Sequence, residues 1–423
     1  MTPAPDPARW RGRRVLLIEH PRNSAAAAGL RTILDSGCDV RLVAENPSAY
    51  GPLVQRCAGS AGSLEICRAD TRRPSTVQAA ARRAHADAVL SFSHHFTSLA
   101  ARLAALSGLT GPSEDSVGNG LFKDRTRALL GTASTNVDHV VVRTTADVRA
   151  AVDALGGDVV VKPLSETSSL GVVRARGHDE ALAAFRELAG HRVNRQGQAL
   201  DGRVLMERHV EGEEFSVETL STPAGVQVYG VTAKRPHAVN PFVEQADTFP
   251  CEPPDRAVVD AAVSAVRGLG EFLGPAHTEV RLSADGPRIM EVNPRQGGGQ
   301  LPRMIEATTG RNVFVDAVAV AFRESPVLPP TPPASPTSTW WQCYAPRAGR
   351  LIRVDGIDAV RSAPGVVHAE VRKSPGDAVG AAASNLDCIA DIIATGPAAA
   401  DGVALARSAA ALLTIEVQDR KNF

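Results

Sequence analysis

The sequence lacks the long apolar segments and the charge imbalance that mark membrane and nucleic-acid-binding proteins. No run of about 20 apolar residues is present, so no membrane-spanning helix is expected. The first residues, MTPAPDPARWRGRR, contain arginine but no apolar segment follows, which argues against a signal peptide. Basic and acidic residues number 46 each, so no basic surface for nucleic acid or lipid is expected. We therefore expect small molecules as partners.

Several catalytic and metal-binding motifs are also missing. The six cysteines are scattered and form no CxxC pair, which excludes a zinc ribbon or a dithiol redox motif and is typical of a reducing cytoplasm. No GxGxxG follows the first predicted strand, and neither GxxxxGK[ST] nor GxSxG occurs. A dinucleotide site, a P-loop and a serine-hydrolase nucleophile are therefore not indicated.

The chain begins with a pattern of alternating strands and helices. Its 423 residues, 43% of them hydrophobic, are enough for two to four domains at roughly 100–200 residues each. Short apolar strands separated by helices predict a right-handed βαβ unit over residues 1–112. The predicted strands are Val15–Ile18, Val40–Ala44 and Ala88–Phe92, and the predicted helices are Ser24–Ser36 and Thr76–Ala86.

The rest of the chain divides into further units. Strands and helices continue over residues 113–210 and 211–325, which we predict as two lobes. A proline-rich segment, residues 326–338, predicts a linker. Residues 339–423 then predict a separate C-terminal lobe. The fold class is therefore α/β (α+β).

A predicted hairpin around Asp285 carries the most informative constellation. Counting outward from this residue places Glu279 across from Glu291, with Arg281 and Asn293 on the same face. Val280, Leu282, Met290 and Val292 are then predicted to form the core face. Facing carboxylates repel each other, and a hard cation such as Mg²⁺ between them removes that cost. The alternative is a solvated face on which Arg281 compensates the glutamates.

The residues after the hairpin favour the metal interpretation. Arg295 can present a bidentate fork to a phosphate or carboxylate. The glycines Gly297, Gly298 and Gly299 allow backbone amides to approach an anion closely, although they could form a flexible turn.

Two further segments carry polar residues next to apolar strands. Lys162 ends the strand Val159–Lys162 and is followed by a hydroxyl-rich loop ending at Gly171, a composition suited to covering phosphates. The segment from Glu207 to Glu218 runs from one strand through a polar hinge into another. Such a hinge offers backbone groups to an adenine edge and a glutamate to ribose. The alternative for the hinge is an acidic surface turn.

In this order, the three segments resemble the ATP-grasp superfamily. The resemblance rests on the lysine with its Ser/Gly loop, on GEEFSVE, and on TEVRL followed by IMEVNPRQGGG, and it covers roughly residues 113–320. The C-terminal segments WQCYAP, APGVV, SPGD and ATG resemble the extra lobe of the L-amino acid ligase branch. The resemblance implies an ATP-grasp fold with an N-terminal Rossmann-like domain, two ATP-clasping lobes and a C-terminal α+β lobe.

The resemblance also implies a role for each matching residue. Lys162 and Lys234 would bind phosphates, and Ser168, Ser169 and Gly171 would form a lid. ATP would lie in the hinge, with Mg²⁺ or Mn²⁺ as the metal. The hinge residues are Glu207, Arg208, His209 and Val210 around adenine and Glu214 at the ribose; the metal ligands are Glu279, Glu291 and Asn293; the substrate residues are Arg295, Gly297, Gly298 and Gly299.

One position departs from the family pattern. Members usually carry an Asp-Lys pair before the TR…L helix, whereas this chain has Lys123-Asp124-Arg125. Either Lys123 or Arg125 would supply the first phosphate-binding cation.

The expected reaction is ATP-dependent activation of a carboxylate as an acyl phosphate, followed by capture by an amine. The catalytic candidates are Arg295, Lys162, Arg281 and Glu244; His237 and His277 are alternative bases, and His94 and His95 could line an acceptor pocket. Two alternatives stay open, namely thiol capture of the acyl phosphate and a non-catalytic ATP-binding protein. A homodimer is also expected.

Overall fold

A four-stranded parallel sheet organises the N-terminal part of the chain. The structure is a computed structural model that describes residue 6, residues 8–328 and residues 336–418. The strand order is β3-β2-β1-β4. The strands are β1 (Arg14–Ile18), β2 (Asp39–Ala44), β3 (Leu64–Arg68) and β4 (Ala88–Leu90), and the helices are α1 (Ser24–Asp35), α2 (Gly51–Arg56), α3 (Pro74–Ala84) and α4 (Thr97–Leu106).

Burial on both faces explains why β1 is continuously apolar. Leu17 packs in one core with Leu30 of α1, and Leu16 packs in another with Leu103 of α4. The predicted βαβ unit is confirmed. Its outer strand β3 was not predicted; the sequence LEICR is short and remains partly exposed.

A second, antiparallel sheet has the order β5-β8-β6-β7. Helices α7 and α8 cover one face through a shared apolar core, and the other face is turned toward a large cavity. Its elements are α5 (Glu114–Leu121), α6 (Lys123–Leu130), β5 (His139–Val142), α7 (Thr145–Ala154), β6 (Asp158–Pro163), β7 (Val173–Arg176), α8 (His178–Gly190) and β8 (Val204–Arg208).

An eight-stranded sheet forms the opposite wall of the cavity, in the order β13-β12-β9-β10-β11-β14-β18-β16. Its first five strands come from the residues before the predicted linker. The elements are β9 (Glu213–Thr222), β10 (Gly225–Pro236), β11 (Glu244–Phe249), α9 (Ala257–Gly268), β12 (Gly274–Ser283), β13 (Gly286–Asn293), α10 (Leu301–Thr309) and α11 (Val313–Ala321).

Part of the C-terminal segment extends this sheet, while β15, β17 and β19 form a three-stranded sheet of their own. Strand β14 pairs with β11, β18 pairs with β14, and β16 pairs with β18. Strand β14 begins inside the predicted linker, whose residues 329–335 lie outside the described ranges. The elements are β14 (Thr337–Cys343), β15 (Gly349–Asp355), α12 (Ile357–Arg361), β16 (Val366–Val371), β17 (Ala378–Val379), β18 (Ala390–Gly396), α13 (Ala399–Ala410) and β19 (Thr414–Gln418).

The β12–β13 hairpin has the predicted pairing of its two glutamates but a different register near its turn. Glu279 lies opposite Glu291, as predicted, but Ser283 pairs with Gly286 across a two-residue turn. A bulge at Met290, between the Val280–Ile289 and Glu279–Glu291 pairs, supplies the missing residue. The bulge turns Met290 toward the cavity and puts Ile289 into the core, so the prediction that Met290 faces the core was wrong.

Within the described ranges, every helix is too short or too polar to span a lipid bilayer.

Candidate active site

A cavity of about 1090 Å³ lies between the antiparallel four-stranded sheet, formed by β5 to β8, and the eight-stranded sheet. Most of the predicted site residues line it, although they come from segments far apart in the sequence. Arg125, Gly171 and Gly297 do not line it. Those on the wall are Lys123, Lys162, Ser168, Ser169, Glu207, Arg208, His209, Val210, Glu214, Lys234, Glu244, Glu279, Arg281, Glu291, Asn293, Arg295, Gly298 and Gly299.

Lys123, rather than Arg125, reaches the cavity from helix α6. Lys123 is 6% exposed, and its Nζ lies 3.0 Å from Glu291 Oε1 and 3.0 Å from the Glu166 carbonyl oxygen. Arg125 is exposed and lies over the Phe122 ring. The geometry therefore favours Lys123 as the cation of this segment.

A buried triad of charges joins α6, β6 and β8. Glu207 lies 2.6 Å from Arg127 Nε and 2.5 Å from Lys162 Nζ. Burial alone would raise the pKa of Glu207, but Arg127 and Lys162 lower it to about 2. Arg127 was not predicted; the only signal for it is its spacing from Lys123, which places both on one face of α6.

The loop after Lys162 has an unusual backbone. Ser168 and Ser169 have positive φ angles of 60° and 57° and line the cavity. Gly171 has a φ of 72° and packs against Leu188, where a Cβ would approach to 2.6 Å. Asn385 of the C-terminal segment donates its backbone N–H to the Ser168 carbonyl at 3.2 Å. The loop is therefore held by helix α8 at Gly171 and by the C-terminal segment at Ser168.

The hinge between β8 and β9 is held by Arg281. Its Nη1 donates to the Val210 carbonyl at 2.9 Å, and its Nη2 pairs with Glu214. Arg281 thus pairs with Glu214, not with the facing glutamates of the hairpin. The guanidinium of Arg281, a predicted catalytic candidate, is therefore engaged with two residues of the hinge.

Three oxygen donors from the hairpin point into the cavity, each held by a cation. Glu279 Oε1 lies 2.7 Å from Lys234 Nζ, and Glu291 Oε1 contacts Lys123 as described above. Asn293 Oδ1 accepts from Arg295 Nη2 at 3.3 Å. Two carboxylates and an amide oxygen on one wall have the donor chemistry that Mg²⁺ prefers. Among the described residues, no group of three or more His, Cys, Asp or Glu side chains could hold a metal ion.

Lys234 sits among carboxylates on the same wall. Its Nζ lies 2.6 Å from Glu244 Oε1 and 3.6 Å from Glu214 Oε1, in addition to its contact with Glu279. Burial would lower the pKa of Lys234, but these carboxylates raise it well above its usual value. Lys234 is therefore charged and could exchange a carboxylate for a phosphate oxygen.

Asp247 lies beside this cluster and was not predicted. It pairs in register with Lys234 and is 3% exposed. Its Oδ1 has no hydrogen-bond partner among the described residues. Burial and the nearby Glu244 raise the pKa of Asp247 well above its usual value. The strand that carries it, β11, has the polar sequence EQADTF and gave no apolar signal.

His277 lies between two carboxylates, whereas His237, the other predicted histidine base, packs against Tyr344 and does not line the cavity. His277 Nδ1 lies 2.8 Å from Glu218 Oε1, and its Nε2 lies 3.2 Å from Glu279 Oε1. Burial would lower the pKa of His277, but Glu218 and Glu279 raise it to about 10. A histidine charged in this way is a poor general base at neutral pH.

The contribution of His277 to stability is expected to decline as the pH rises from 6.5 to about 10. A group whose folded pKa is raised stabilises the folded state fully below its unfolded pKa and loses that effect through the folded pKa. Urea titrations at several pH values between 6.5 and about 10 measure this decline as a change in the free energy of unfolding. The decline should be shallower in His277→Gln, and equal slopes in the two proteins would contradict the assignment.

Arg295 is fixed through each of its three nitrogens. Nε donates to His94 Nδ1 at 3.3 Å, Nη1 donates to the Gln296 carbonyl at 2.7 Å, and Nη2 contacts Asn293. Burial, together with Arg295, lowers the pKa of His94 well below its usual value, so His94 is neutral and can accept. His94 lies behind Arg295 and does not line the cavity itself.

The glycine run after Arg295 packs against large side chains. A Cβ at Gly299, whose φ is 56°, would come within 1.9 Å of the Trp340 ring, and a Cβ at Gly297 would come within 2.4 Å of Leu301. Gly298 has open space beside it and lines the cavity. Packing therefore requires two of the three glycines, and only Gly298 and Gly299 face the cavity.

Known protein families match two segments of this chain. Residues 155–302 match the ATP-grasp domain family, and residues 341–418 match L-amino acid ligase C-terminal domain 2. The chain therefore contains an ATP-grasp domain. The matched ranges contain most of the cavity wall, from Lys162 to Gly299, and the strands that extend the eight-stranded sheet.

Two curated relatives resemble this ATP-grasp chain in sequence. The uncharacterized protein y4rH of Sinorhizobium fredii is 28% identical over 320 residues, which cover 73% of this chain and 64% of the relative. Carnosine synthase 1 of Gallus gallus is 33% identical over 153 residues, covering 36% and 16% respectively. The chain thus spans less than two thirds of either relative's length.

A solved structure resembles the ATP-grasp chain along nearly its whole length. The L-amino acid ligase from Bacillus licheniformis has a TM-score of 0.80 and 20% sequence identity, and the similarity covers 97% of this chain and all of that one. It establishes a shared fold that includes the C-terminal segment.

Proposed function

We propose that this protein is an ATP-dependent ligase that joins a carboxylate to the amine of an amino acid or a similar molecule. The observation that carries the proposal is the convergence of four cations, two buried and two partly buried, and three hairpin oxygen donors on one cavity. Such a cavity is suited to a metal–triphosphate complex, because the cations match phosphate oxygens and the donors match Mg²⁺. The cations are Lys123, Lys162, Lys234 and Arg295.

The chain's own residues would bind, orient and shield the reactants. Lys123 and Lys162 hold phosphate oxygens, and Arg295 stabilises charge on the transferred phosphoryl group. A bound Mg²⁺ would neutralise charge on that group, with Glu279, Glu291 and Asn293 as its ligands. The loop of Ser168 and Ser169 excludes water from an acyl phosphate, which would otherwise hydrolyse.

The acidic side of the cavity supports an amine as the second substrate. Asp247 has a buried oxygen that finds no hydrogen-bond partner in the part of the chain that the structure describes, and Glu244 lies beside it. A buried acceptor without a partner is costly, and an ammonium or amine group would satisfy it. Glu244 remains our proposal for the general base.

Lys123→Met is expected to weaken ATP binding by about tenfold or more, because it removes a charge-assisted contact to phosphate. Arg125→Met, a matched change on the same helix, should leave ATP binding unchanged since Arg125 points away from the cavity. Calorimetric titration with a non-hydrolysable ATP analogue measures both. The opposite order of effects would assign the phosphate contact to Arg125.

The proposed activity is tested by phosphate release from Mg²⁺-ATP with amino acids offered singly and in pairs, combined with mass spectrometry. We expect phosphate only with a particular pair, together with a product of the condensed mass. Phosphate with one acid alone would point to a missing amine or thiol. A product that reacts with hydroxylamine and also carries the mass of a thiol would indicate a thioester, because an acyl phosphate reacts with hydroxylamine too. ATP binding without phosphate release under any pair would oppose ligase activity on amino acids and favour a non-catalytic role.

A further inference from the structure

Arg127 bridges the two walls of the cavity, and it belongs to none of the expected binding roles. It is 1% exposed, and its guanidinium donates to acceptors on two strands that belong to different sheets. Nε pairs with Glu207 of β8 at 2.6 Å, Nη1 donates to the Ile289 carbonyl at 2.6 Å, and Nη2 donates to the Met290 carbonyl at 3.0 Å. The first contact is with the antiparallel four-stranded sheet, and the other two are with the eight-stranded sheet.

The two carbonyls belong to the bulge that sets the hairpin register. Strand β13 is at the edge of its sheet, and the Ile289 N–H donates to the Thr135 carbonyl rather than to a strand. A bulge leaves backbone groups outside the ladder, and buried carbonyls need donors. Arg127 supplies them. The bulge in turn places Glu291 opposite Glu279.

The Nε atom of the same guanidinium pairs with Glu207, which also contacts the proposed phosphate-binding Lys162. Glu207 accepts from both Arg127 and Lys162, so the position of Lys162 depends on how Glu207 is held. Without Arg127, Glu207 would have Lys162 as its remaining ion-pair partner among the described residues. The lysine would then be drawn more tightly to Glu207 and be less available to phosphate.

We infer that Arg127 is a positioning residue that fixes the phosphate-binding Lys162 relative to the proposed metal ligand Glu291. This inference rests on the proposed function, because it assigns the consequence of the bridge to binding of a metal–nucleotide complex. A planar guanidinium can serve three acceptors in fixed directions, whereas a lysine ammonium at the end of a flexible stem cannot.

The test is calorimetric binding of a non-hydrolysable ATP analogue across a series of Mg²⁺ concentrations. Arg127→Lys is expected to weaken binding by about 10- to 100-fold and to raise the Mg²⁺ concentration needed for half-maximal binding, because displaced site groups lose their geometry. Arg311→Lys is the matched control, since Arg311, like Arg127, pairs with a buried carboxylate, here Asp316, but lies away from the cavity. It should bind as the wild type does.

A second variant covers the case in which Arg127→Lys does not fold. Asn136 Oδ1 lies 3.5 Å from Arg127 Nη1, and its Nδ2 donates to the Arg127 carbonyl at 3.0 Å. Asn136→Ala should shift analogue affinity and Mg²⁺ dependence in the same direction by a smaller factor. Wild-type affinity and Mg²⁺ dependence in whichever variant folds, even with lower thermal stability, would overturn the inference. Failure of the wild type to bind the analogue would instead overturn the proposed function.

Discussion

Glu291→Gln is expected to lower ATP-dependent phosphate release to below about 1% of the wild-type rate, since removing a group that stabilises transition-state charge costs roughly 10²–10³ in kcat. The substitution removes one of two proposed anionic metal ligands but keeps the size of the side chain. The amide oxygen of Gln can still accept from Lys123, so the fold should persist. Phosphate release at saturating ATP and Mg²⁺ measures the effect.

The same hairpin supplies the control for this prediction. Asp285 is exposed in the turn, away from the cavity, so Asp285→Asn removes one negative charge without touching a proposed ligand. We expect wild-type activity from it. Substantial activity in Glu291→Gln, with a normal response to Mg²⁺, would remove Glu291 from the metal site.

Arg295→Lys is expected to reduce kcat/KM for the carboxylate substrate by about 10²–10³-fold, although it retains a positive charge. Each guanidinium nitrogen of Arg295 is oriented by a separate acceptor, and one of these is His94, which follows strand β4 of the N-terminal sheet. A lysine has a single nitrogen and cannot keep these contacts while also facing a phosphoryl group. The loss should therefore fall mainly on kcat, because the interaction strengthens as charge develops.

Arg303→Lys provides a comparison for Arg295→Lys. Arg303 lies on α10, is partly buried and donates to the Ser24 carbonyl, but it does not line the cavity. Its replacement should leave kcat unchanged. If both variants retained wild-type kcat, Arg295 would have no role in the chemical step.

The sequence predicted those parts of the fold that are encoded by local patterns. Apolar runs such as Val15–Ile18 predicted buried strands because such a strand is covered on both faces. Strand β11 escaped prediction because Asp247 and Glu244 face a polar cavity, which removes the apolar alternation. Strands β14 and β18 were not predicted, and the continuity of the C-terminal segment with the central sheet depends on pairing between β11 and β14, which local patterns do not encode.

The hairpin shows a correct pairing reached through an incorrect register. Counting from Asp285 placed Glu279 opposite Glu291, yet this count missed both the two-residue turn and the bulge. Only the bulge explains why Met290 faces the cavity. Its stability depends on Arg127, which comes from a helix 162 residues earlier in the chain, so no window of sequence around the hairpin could indicate it.

The sequence by itself determined the chemical groups of this protein, since residue types fix which side chains carry charge and which backbone positions allow tight turns. It thereby determined the hairpin of oxygen donors, the lysine-ended strand and the absence of a nucleophile motif. Only the tertiary structure decided which cation neutralises which carboxylate. Lys123 instead of Arg125 reaches Glu291, and Lys234 instead of Arg281 reaches Glu279. Charge pairing acts over a few ångströms, and packing of α6 and β10 beside the hairpin sets those distances.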